Sequence, residues 1–334
     1  MRVLVTGATG FLGFHLCTRL TELGWQTSAF HRASSRTGML DPLGVRLIEG
    51  DFEDLKSVRE AVAGQDLVIH AAADIKSWSP HPALQDRANT EATRKVAEAC
   101  RLGGVGRLIH VSSVSAIGIP TTPAHPADES FKFNLKGRRF NYHLSKKKAE
   151  EAVLSQVALG LDAVIVNPGS LFGPFGATYR GAEIVYKAAQ GGIVPCFAGG
   201  RCIVHVDDVV DGILAAARSG VRGERYILGG DNISFRDIAK VSARALGANP
   251  RLVPIPSVLA RVLMNAAEAV APSGSFMPRL NAVYTDGLFQ YYKSYRATAA
   301  WGYAYRPFTE IADECVAHRQ SRKEPEALQA AGKL

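Results

Sequence analysis

Two side chains one helical turn apart carry the first chemistry. Tyr142 and Lys146, in Tyr142-His143-Leu144-Ser145-Lys146, have the spacing that puts a phenol and an ammonium on one side of a helix. A phenol with its ordinary pKa of about 10 is a poor base at neutral pH. A neighbouring ammonium, or the positive ring of an oxidised nicotinamide, stabilises the phenolate. The phenol can then exchange a proton with a substrate oxygen while a hydride moves. The same spacing is common in helices without chemistry, so the pair needs support elsewhere. Upstream, an apolar run at 108–111 ends in Ser112-Ser113-Val114-Ser115. Hydroxyls at a strand's C-terminal end, ahead of the tyrosine helix, can bond that same oxygen.

A second group of residues points to a phosphate-bearing ligand. Val3-Leu4-Val5-Thr6-Gly7-Ala8-Thr9-Gly10-Phe11-Leu12-Gly13 has the pattern of strand, tight turn and helix start. Gly7 permits the turn, Gly10 lets backbone approach a pyrophosphate, and Gly13 lets the helix pack closely on the strand. The helix N-terminus adds amide donors and partial positive charge. A carboxylate at the end of the next strand would hold the ribose hydroxyls of NAD. The chain has His31-Arg32 there, followed by Ser34, Ser35 and Arg36. A guanidinium suits a 2′-phosphate, so NADP(H) is the favoured cofactor and NAD(H) the alternative. Stacking of Arg32 on adenine, or a solvated loop charge, remains open. Asp51, followed by Phe52, is placed to accept from the adenine amino group, or else to cap a helix from Leu55 onward.

Elements that position these groups alternate along the first half. Short apolar runs fall at 3–5, 45–48, 67–69, 108–111 and 163–166, with a weaker one at 26–30. Helical spacing occupies 11–23, 55–63, 83–102 and 142–159. This order predicts an α/β fold, a Rossmann doubly wound parallel sheet with helices on both faces and a smaller C-terminal substrate-binding region. Gly24, Gly64 and Gly103-Gly104 stand where helices should end. The dinucleotide-binding domain is expected over 1–167, with 201–230 returning to it through the helical run after His205-Val206-Asp207-Asp208. The substrate region is expected over 168–200 and 231–310. The polar, Ala-rich tail over 320–334 is expected to fray.

Bulk properties set the outer limits. The 334 residues are 47% apolar and 21% charged, an ordinary globular composition. No run of about 18 apolar residues predicts a membrane span, and Met1-Arg2 leads into too short an apolar run for a secretory signal. Five widely spaced cysteines, Cys17, Cys100, Cys196, Cys202 and Cys315, without a CxxC, fit reduced thiols in a cytoplasmic protein better than disulfides or a metal site. The net charge of +8 fits a soluble protein or a basic cleft for a phosphorylated cofactor. Basic residues do not interleave with aromatics, so no nucleic-acid groove is predicted.

Taken together, the motifs resemble an extended short-chain dehydrogenase/reductase of the NAD-dependent epimerase/dehydratase superfamily. The matching elements are Thr6 to Gly13, Gly50-Asp51, His70-Ala71-Ala72-Ala73, Asn89, Ser112-Ser113, Tyr142-xxx-Lys146, Asn167-Pro168-Gly169 and His205-Val206-Asp207-Asp208, in the family's order. The resemblance implies that Tyr142 is the general acid/base, that Lys146 lowers its pKa and holds the nicotinamide ribose, and that Ser113 orients the substrate oxygen. Ser112 and Ser115 compete for that last role. It also implies that Ala71, Ala72 and Ala73 line the cofactor through backbone atoms, that Asn89 supports the active site, and that Pro168, Gly169 and Ser170 approach the nicotinamide.

Within that frame the sequence lacks the Asp-Glu pair of sugar-nucleotide dehydratases, since Val114-Ser115-Ala116 stands there. Arg201 sits where epimerases have a phosphate-binding arginine, but their C-terminal arginine–x–glycine–aspartate element is missing. The Gly-Phe-Leu-Gly loop and Arg32 look like the branch of dihydroflavonol-4-reductase-like and 3β-hydroxysteroid dehydrogenase-like enzymes. That resemblance implies a small-molecule carbonyl or secondary alcohol, bulky and largely apolar. The pocket is expected from 74–78, Ser115 and Ile117, 170–179 and the C-terminal segment around 258–292; Asp74, Lys76, Trp78, Ser115, Phe172, Phe175, Tyr179 and Arg201 are the expected substrate contacts, and the aromatic ones would form a wall. A C-terminal segment with an apolar helix at 258–270 and Phe276, Met277, Tyr284, Phe289, Tyr291 and Tyr292 would close the site, or serve core or homodimer packing. Residues 131–140, with Lys132, Lys136, Arg138 and Arg139, form a basic flap or a solvated loop.

Overall fold

Strand Arg2–Thr6 (β1) is followed by a turn at Gly7 and by helix Phe11–Glu22 (α1). In a computed structural model, residues 1–75, 82–137, 140–175, 178–187, 192–256, 262 and 288–331 are described, without the side chains of 322–331. The chain continues through Gln26–His31 (β2), Arg46–Glu49 (β3), Leu55–Val62 (α2) and Leu67–His70 (β4). Two helical segments, Pro82–Asp86 (α3) and Ala92–Leu102 (α4), are joined by one π turn, Arg87–Glu91. Then come Arg107–Val111 (β5), Asn141–Ala158 (α5) and Ala163–Pro168 (β6).

These strands form a parallel sheet, completed at one edge by Arg225–Leu228 (β11), in the order β11-β6-β5-β4-β1-β2-β3. The chain winds outward in both directions from the β1–β4 junction. That switch point opens a crevice beyond the C-terminal ends of the strands. Each face of the sheet buries its own core. Leu12, Leu16, Cys17 and Leu20 of α1 pack with Val209, Val210 and Ile213 of Val206–Ser219 (α7). On the other face Val58 and Val62 of α2, Val96 and Cys100 of α4 and Val153 of α5 pack together. Strands buried on both sides explain the continuous apolar runs of the sequence.

A second sheet holds Ser170–Phe175 (β7), Thr178–Arg180 (β8), Gly200–His205 (β10) and Asp231–Ser234 (β12), in the order β12-β10-β7-β8. Helix Ala182–Lys187 (α6) follows β8, Ile193–Cys196 (β9) pairs with Arg251–Pro254 (β13), and the short strand Phe289–Gln290 (β14) also pairs with β10. The final helix runs from Phe308 to Ala331, through the segment where the sequence predicts fraying. Its alanines, glutamates, lysines and glutamines have high intrinsic helix propensity. No described helix is long and apolar enough to cross a membrane.

Two glycines decide how closely α1 approaches β1. Gly7 has φ +72°, and a Cβ there would lie 2.7 Å from the Ala72 amide. A Cβ on Gly13 would lie 2.0 Å from the Gly7 carbonyl oxygen. That neighbour is backbone and cannot swing aside. Gly13→Ala should therefore cost at least about 1–3 kcal/mol in urea unfolding and abolish dinucleotide binding. Unchanged stability would show that the helix can retreat without cost.

Candidate active site

The crevice at the switch point is a cleft of about 1210 Å³. Its floor is the glycine loop: Gly7, Thr9, Gly10, Phe11, Leu12 and Gly13 all line it. Gly10 is the N-cap of α1, no side chain caps that end, and no acid lies in the first turn. The first-turn amides are thus left for an external acceptor, which fits a pyrophosphate. His31, Arg32, Asp51 and Phe52 line the far end, Ala71, Ala72 and Ala73 one side, and Pro168, Gly169 and Ser170 the other. Helix α2 is capped by Asp54, whose carboxylate accepts from the Lys56 amide at 2.9 Å. Asp51 is therefore not the cap.

Ser113, Tyr142 and Lys146 meet in the same cleft. The Ser113 hydroxyl accepts from the Ser115 amide at 3.1 Å. Ser112, its competitor, donates instead to Glu150 at 2.6 Å. Burial is the main cause that raises the Tyr142 pKa, and Ser113 acts in the opposite sense. Lys146 is 2% exposed and donates to the Val111 carbonyl at 3.0 Å. Burial depresses its pKa to about 8, with Glu150 acting in the opposite sense.

Asn89 does not touch the cleft; it is buried behind it. Its side chain accepts from the Asp74 amide at 2.7 Å and donates to the Asp74 carbonyl at 3.0 Å and to Ser145 Oγ at 2.9 Å. It thereby ties the segment after β4 to the tyrosine helix, and the π turn in which it sits sets its aim. A further chain of bonds starts at the same residue. Thr93 donates to the Asn89 carbonyl at 2.6 Å, so its oxygen can only accept from His70 Nε2 at 3.0 Å. His70 Nδ1 must then accept from Thr6 at 2.7 Å, and Thr6 accepts from the Ala72 amide at 3.3 Å. One neutral tautomer of His70 satisfies every partner.

The expected substrate contacts divide. Asp74, Ser115 and Arg201 line the cleft, whereas Lys76, Trp78, Arg138 and Arg139 lie outside the described residues. Among the described residues the aromatic wall is not formed. Phe172 and Tyr179 are buried in the core of the second sheet, against Phe308 and the Ile311 carbonyl. Phe175 packs on Phe11 and Phe14. Ile117 is wholly buried, and Tyr292 anchors the C-terminal segment by donating to the Gly118 carbonyl at 2.7 Å. Of that segment, 257–261 and 263–287, with Phe276, Met277 and Tyr284, lie outside the described residues. Ile75, Leu84, Leu171, His143, Arg180 and Gln290 take the wall's place; Ile75, Leu171 and Gln290 fall within the segments expected from sequence, whereas Leu84, His143 and Arg180 do not. His143 had a signal, being next to Tyr142 on its helix. Arg180 and Gln290 reach the cleft only through pairing of the second sheet.

The fold and site define a dinucleotide-binding oxidoreductase, and comparison with known proteins names the family. The chain belongs to the NAD dependent epimerase/dehydratase family, whose model matches residues 3–229. It is an extended short-chain dehydrogenase/reductase and an NAD(P)-dependent enzyme. It is 32% identical over 262 residues to sterol demethylase protein B of Methylococcus capsulatus, covering 78% of this chain and 79% of that one. It is 30% identical over 315 residues, 92% of each chain, to 4-hydroxy-2-methyl-3-oxo-4-farnesyl-3,4-dihydroquinoline-1-oxide ketoreductase of Stigmatella aurantiaca. The crystal structure of gox2253 matches with a TM-score of 0.81 and 31% identity, covering 96% of this chain and 98% of the other. Other relatives carry reductase, decarboxylase and 4-epimerase names.

Beneath the cleft the buried rings of His70 and His110 stack, with centroids 5.6 Å apart. Burial, then the Lys146 charge, holds His70 down to about 3 and His110 well below its ordinary value. Both histidines take up protons in the unfolded chain near pH 6.5 but not in the fold. Stability should therefore be complete above that pH and fall as pH drops, by about 1.4 kcal/mol per unit for each ring. His110 has no hydrogen-bond partner on either nitrogen among the described residues. His110→Phe should therefore flatten the urea-midpoint slope between pH 6.5 and 4.5. A slope unchanged by that substitution would exclude His110 as its source.

Proposed function

We propose that this protein is an NADP(H)-dependent oxidoreductase that interconverts a carbonyl and a secondary alcohol on a bulky, largely apolar substrate, with Tyr142 as general acid/base. The observation that carries the reading is the convergence of Ser113, Tyr142 and buried Lys146, one turn from the tyrosine, on the same cleft as the glycine loop. The glycine loop would hold the pyrophosphate, Asp51 the adenine and Lys146 the nicotinamide ribose. A bound nicotinamide would supply or take up the hydride. Burial keeps Tyr142 protonated, the state from which a phenol can give a proton to an oxygen becoming an alkoxide. The Lys146 ammonium then stabilises the phenolate, and Ser113 fixes the oxygen's place. Ile75, Leu84 and Leu171 would take the apolar body of the substrate. His143, Arg180, Arg201 and Gln290 would receive an oxygen-bearing end.

Arg201 also favours a second reading, an NAD-dependent sugar or nucleotide-sugar epimerase. Its Nε is buried without a hydrogen-bond partner among the described residues, as a site for an oxyanion would be. A two-sided screen separates the readings, with steroid-like, flavonoid-like and long-chain ketones on one side and UDP-glucose and UDP-galactose on the other. Consumption of NADPH on a ketone is expected. Epimerised sugar with no ketone reduced would overturn the assignment. On an accepted ketone, Tyr142→Phe should lose about 10²–10⁴-fold in turnover with cofactor binding retained. Near-normal turnover would sink the tyrosine's role.

NADP preference rests on Arg32. Its exposed guanidinium lines the cleft, no carboxylate pairs with it among the described residues, and the 32–35 turn, closed by the Ser35 amide donating to the Arg32 carbonyl at 2.9 Å, presents it. A charge-assisted contact contributes roughly 1.5–3 kcal/mol, or about 10- to 150-fold in affinity. NADPH should bind more tightly than NADH by that factor, and Arg32→Ala should erase most of it. Fluorescence titration showing equal affinity of the wild type for both would remove Arg32 from the reading.

A further inference from the structure

Tyr142, Lys146 and Glu150 recur at every fourth residue of α5, so the face that carries the phenol and the ammonium ends in a carboxylate. Glu150 is 1% exposed. Three donors converge on it, from β6, from β11 and from the residue that follows β5. Ser112 Oγ and Asn167 Nδ2 each donate to its Oε1 at 2.6 Å, and Arg225 Nη1 lies 3.4 Å from its Oε2. Asn167 Nδ2 also donates to the Ser113 carbonyl at 2.9 Å. One side chain thus grips both residues at the end of β5, directly through the Ser112 hydroxyl and through Asn167 at Ser113. An amide could accept from the first two donors but would turn its own NH₂ toward Arg225. A carboxylate alone accepts from all three.

The charge has a second consequence. The Lys146 ammonium is enclosed between α5 and the ends of β4 and β5. The titratable groups that act on it or feel its charge are Glu150 from its own helix, His70 from β4 and His110 from β5, with Tyr142 one turn before it on α5. Both histidines are neutral near pH 7, and Asp74 acts on Tyr142. Arg225 lies on the far side of Glu150 and binds the Glu129 carbonyl at 2.7 Å. Among the described residues Glu150 is the one carboxylate that favours the charged lysine.

We propose that Glu150 is a positioning residue, which holds Ser113 in register with Tyr142 and supplies the buried negative charge that keeps Lys146 protonated while Tyr142 gives up its proton. This rests on the reading of Ser113, Tyr142 and Lys146 as the reacting group. It is tested with Glu150→Gln and Glu150→Asp in the full chain. The first readout needs neither cofactor nor substrate: titration of the Lys146 Cε resonance in ¹³C-lysine protein, assigned with Lys146→Arg. The wild-type midpoint is near 8, and in Glu150→Gln it should fall by about 1–3 units. The second readout is ketone reduction against pH. Glu150→Gln should lose about tenfold more kcat at pH 8 than at pH 6, with KM for the ketone unchanged.

Glu150→Asp keeps the charge on a shorter arm. It should retain the Lys146 midpoint and lose kcat equally at every pH. An unmoved midpoint in Glu150→Gln, or a loss of kcat by one factor at all pH values, overturns the electrostatic role. Wild-type kcat in Glu150→Asp overturns the positioning of Ser113. If Glu150→Gln does not fold, a fallen midpoint in Glu150→Asp counts against the charge in the same way. Were Tyr142→Phe fully active, the reading of the site would fail, and the lysine titration would still decide whether Glu150 holds the ammonium.

Discussion

A single buried ammonium constrains everything around it. Removing Lys146 from water costs several kcal/mol unless partners replace the lost hydration. The partners present are one backbone carbonyl, at Val111, and one carboxylate a turn away on the same helix. Each must come from a fixed direction, so α5 cannot rotate or slide against β5 without stranding the charge. The two histidines beneath answer to the same constraint. Buried beside a cation, they are neutral, and His70 can therefore accept from Thr6 and donate to Thr93. A protonated ring would present two donors and break the first of these bonds.

The hydrogen-bond order that follows from the neutral His70 reaches the cleft wall. Thr6 stands at the end of β1, and the Ala72 amide it receives belongs to the segment lining the cofactor side. Asn89 holds the next residue, Asp74, by both its amide and its carbonyl. Backbone that follows a strand would otherwise be free to move. Here it is held by side chains whose donor and acceptor roles leave no alternative arrangement. The rigidity of the wall is thus chemical as well as steric, and it shares a residue, Asn89, with the helix that carries Tyr142.

Much of this was legible in the chain because it is local. Gly7, Gly10 and Gly13 act within one turn, and Tyr142 and Lys146 within another. The alternation of apolar runs is enough for a doubly wound sheet, which in turn puts both groups at one crevice. Choosing among Ser112, Ser113 and Ser115 was not local. It needed to be known that Glu150, 38 residues after Ser112, claims the first of them. The aromatic wall failed for a related reason. Strand β7 places Leu171 on the cleft, but Phe172, on its other face, turns to the core that the final helix covers. Period-two alternation separates the two faces of a strand without saying which one a distant helix will bury. Asp51 and Asp54 show the same limit at shorter range, since both precede the helix and only geometry tells which one caps it.

The placement of these residues also separates two tasks. The glycine loop, Ser113, Tyr142 and Lys146 all ride on the large parallel sheet or directly follow its strands. Arg180, Arg201 and Gln290 belong to β8, β10 and β14 of the smaller sheet. The two sheets are covalently continuous through Pro168 to Ser170, and Gly169 allows the close passage: a Cβ there would lie 2.9 Å from the Cys202 carbonyl oxygen. Side chains on the small sheet can therefore change without disturbing the hydrogen bonds that hold Lys146 and Tyr142. A backbone shift at Gly169 would move both sheets at once. The spacing between the large-sheet side chains of the cleft and those of the small sheet is set at this crossing, where the two sheets come within contact of each other's backbone.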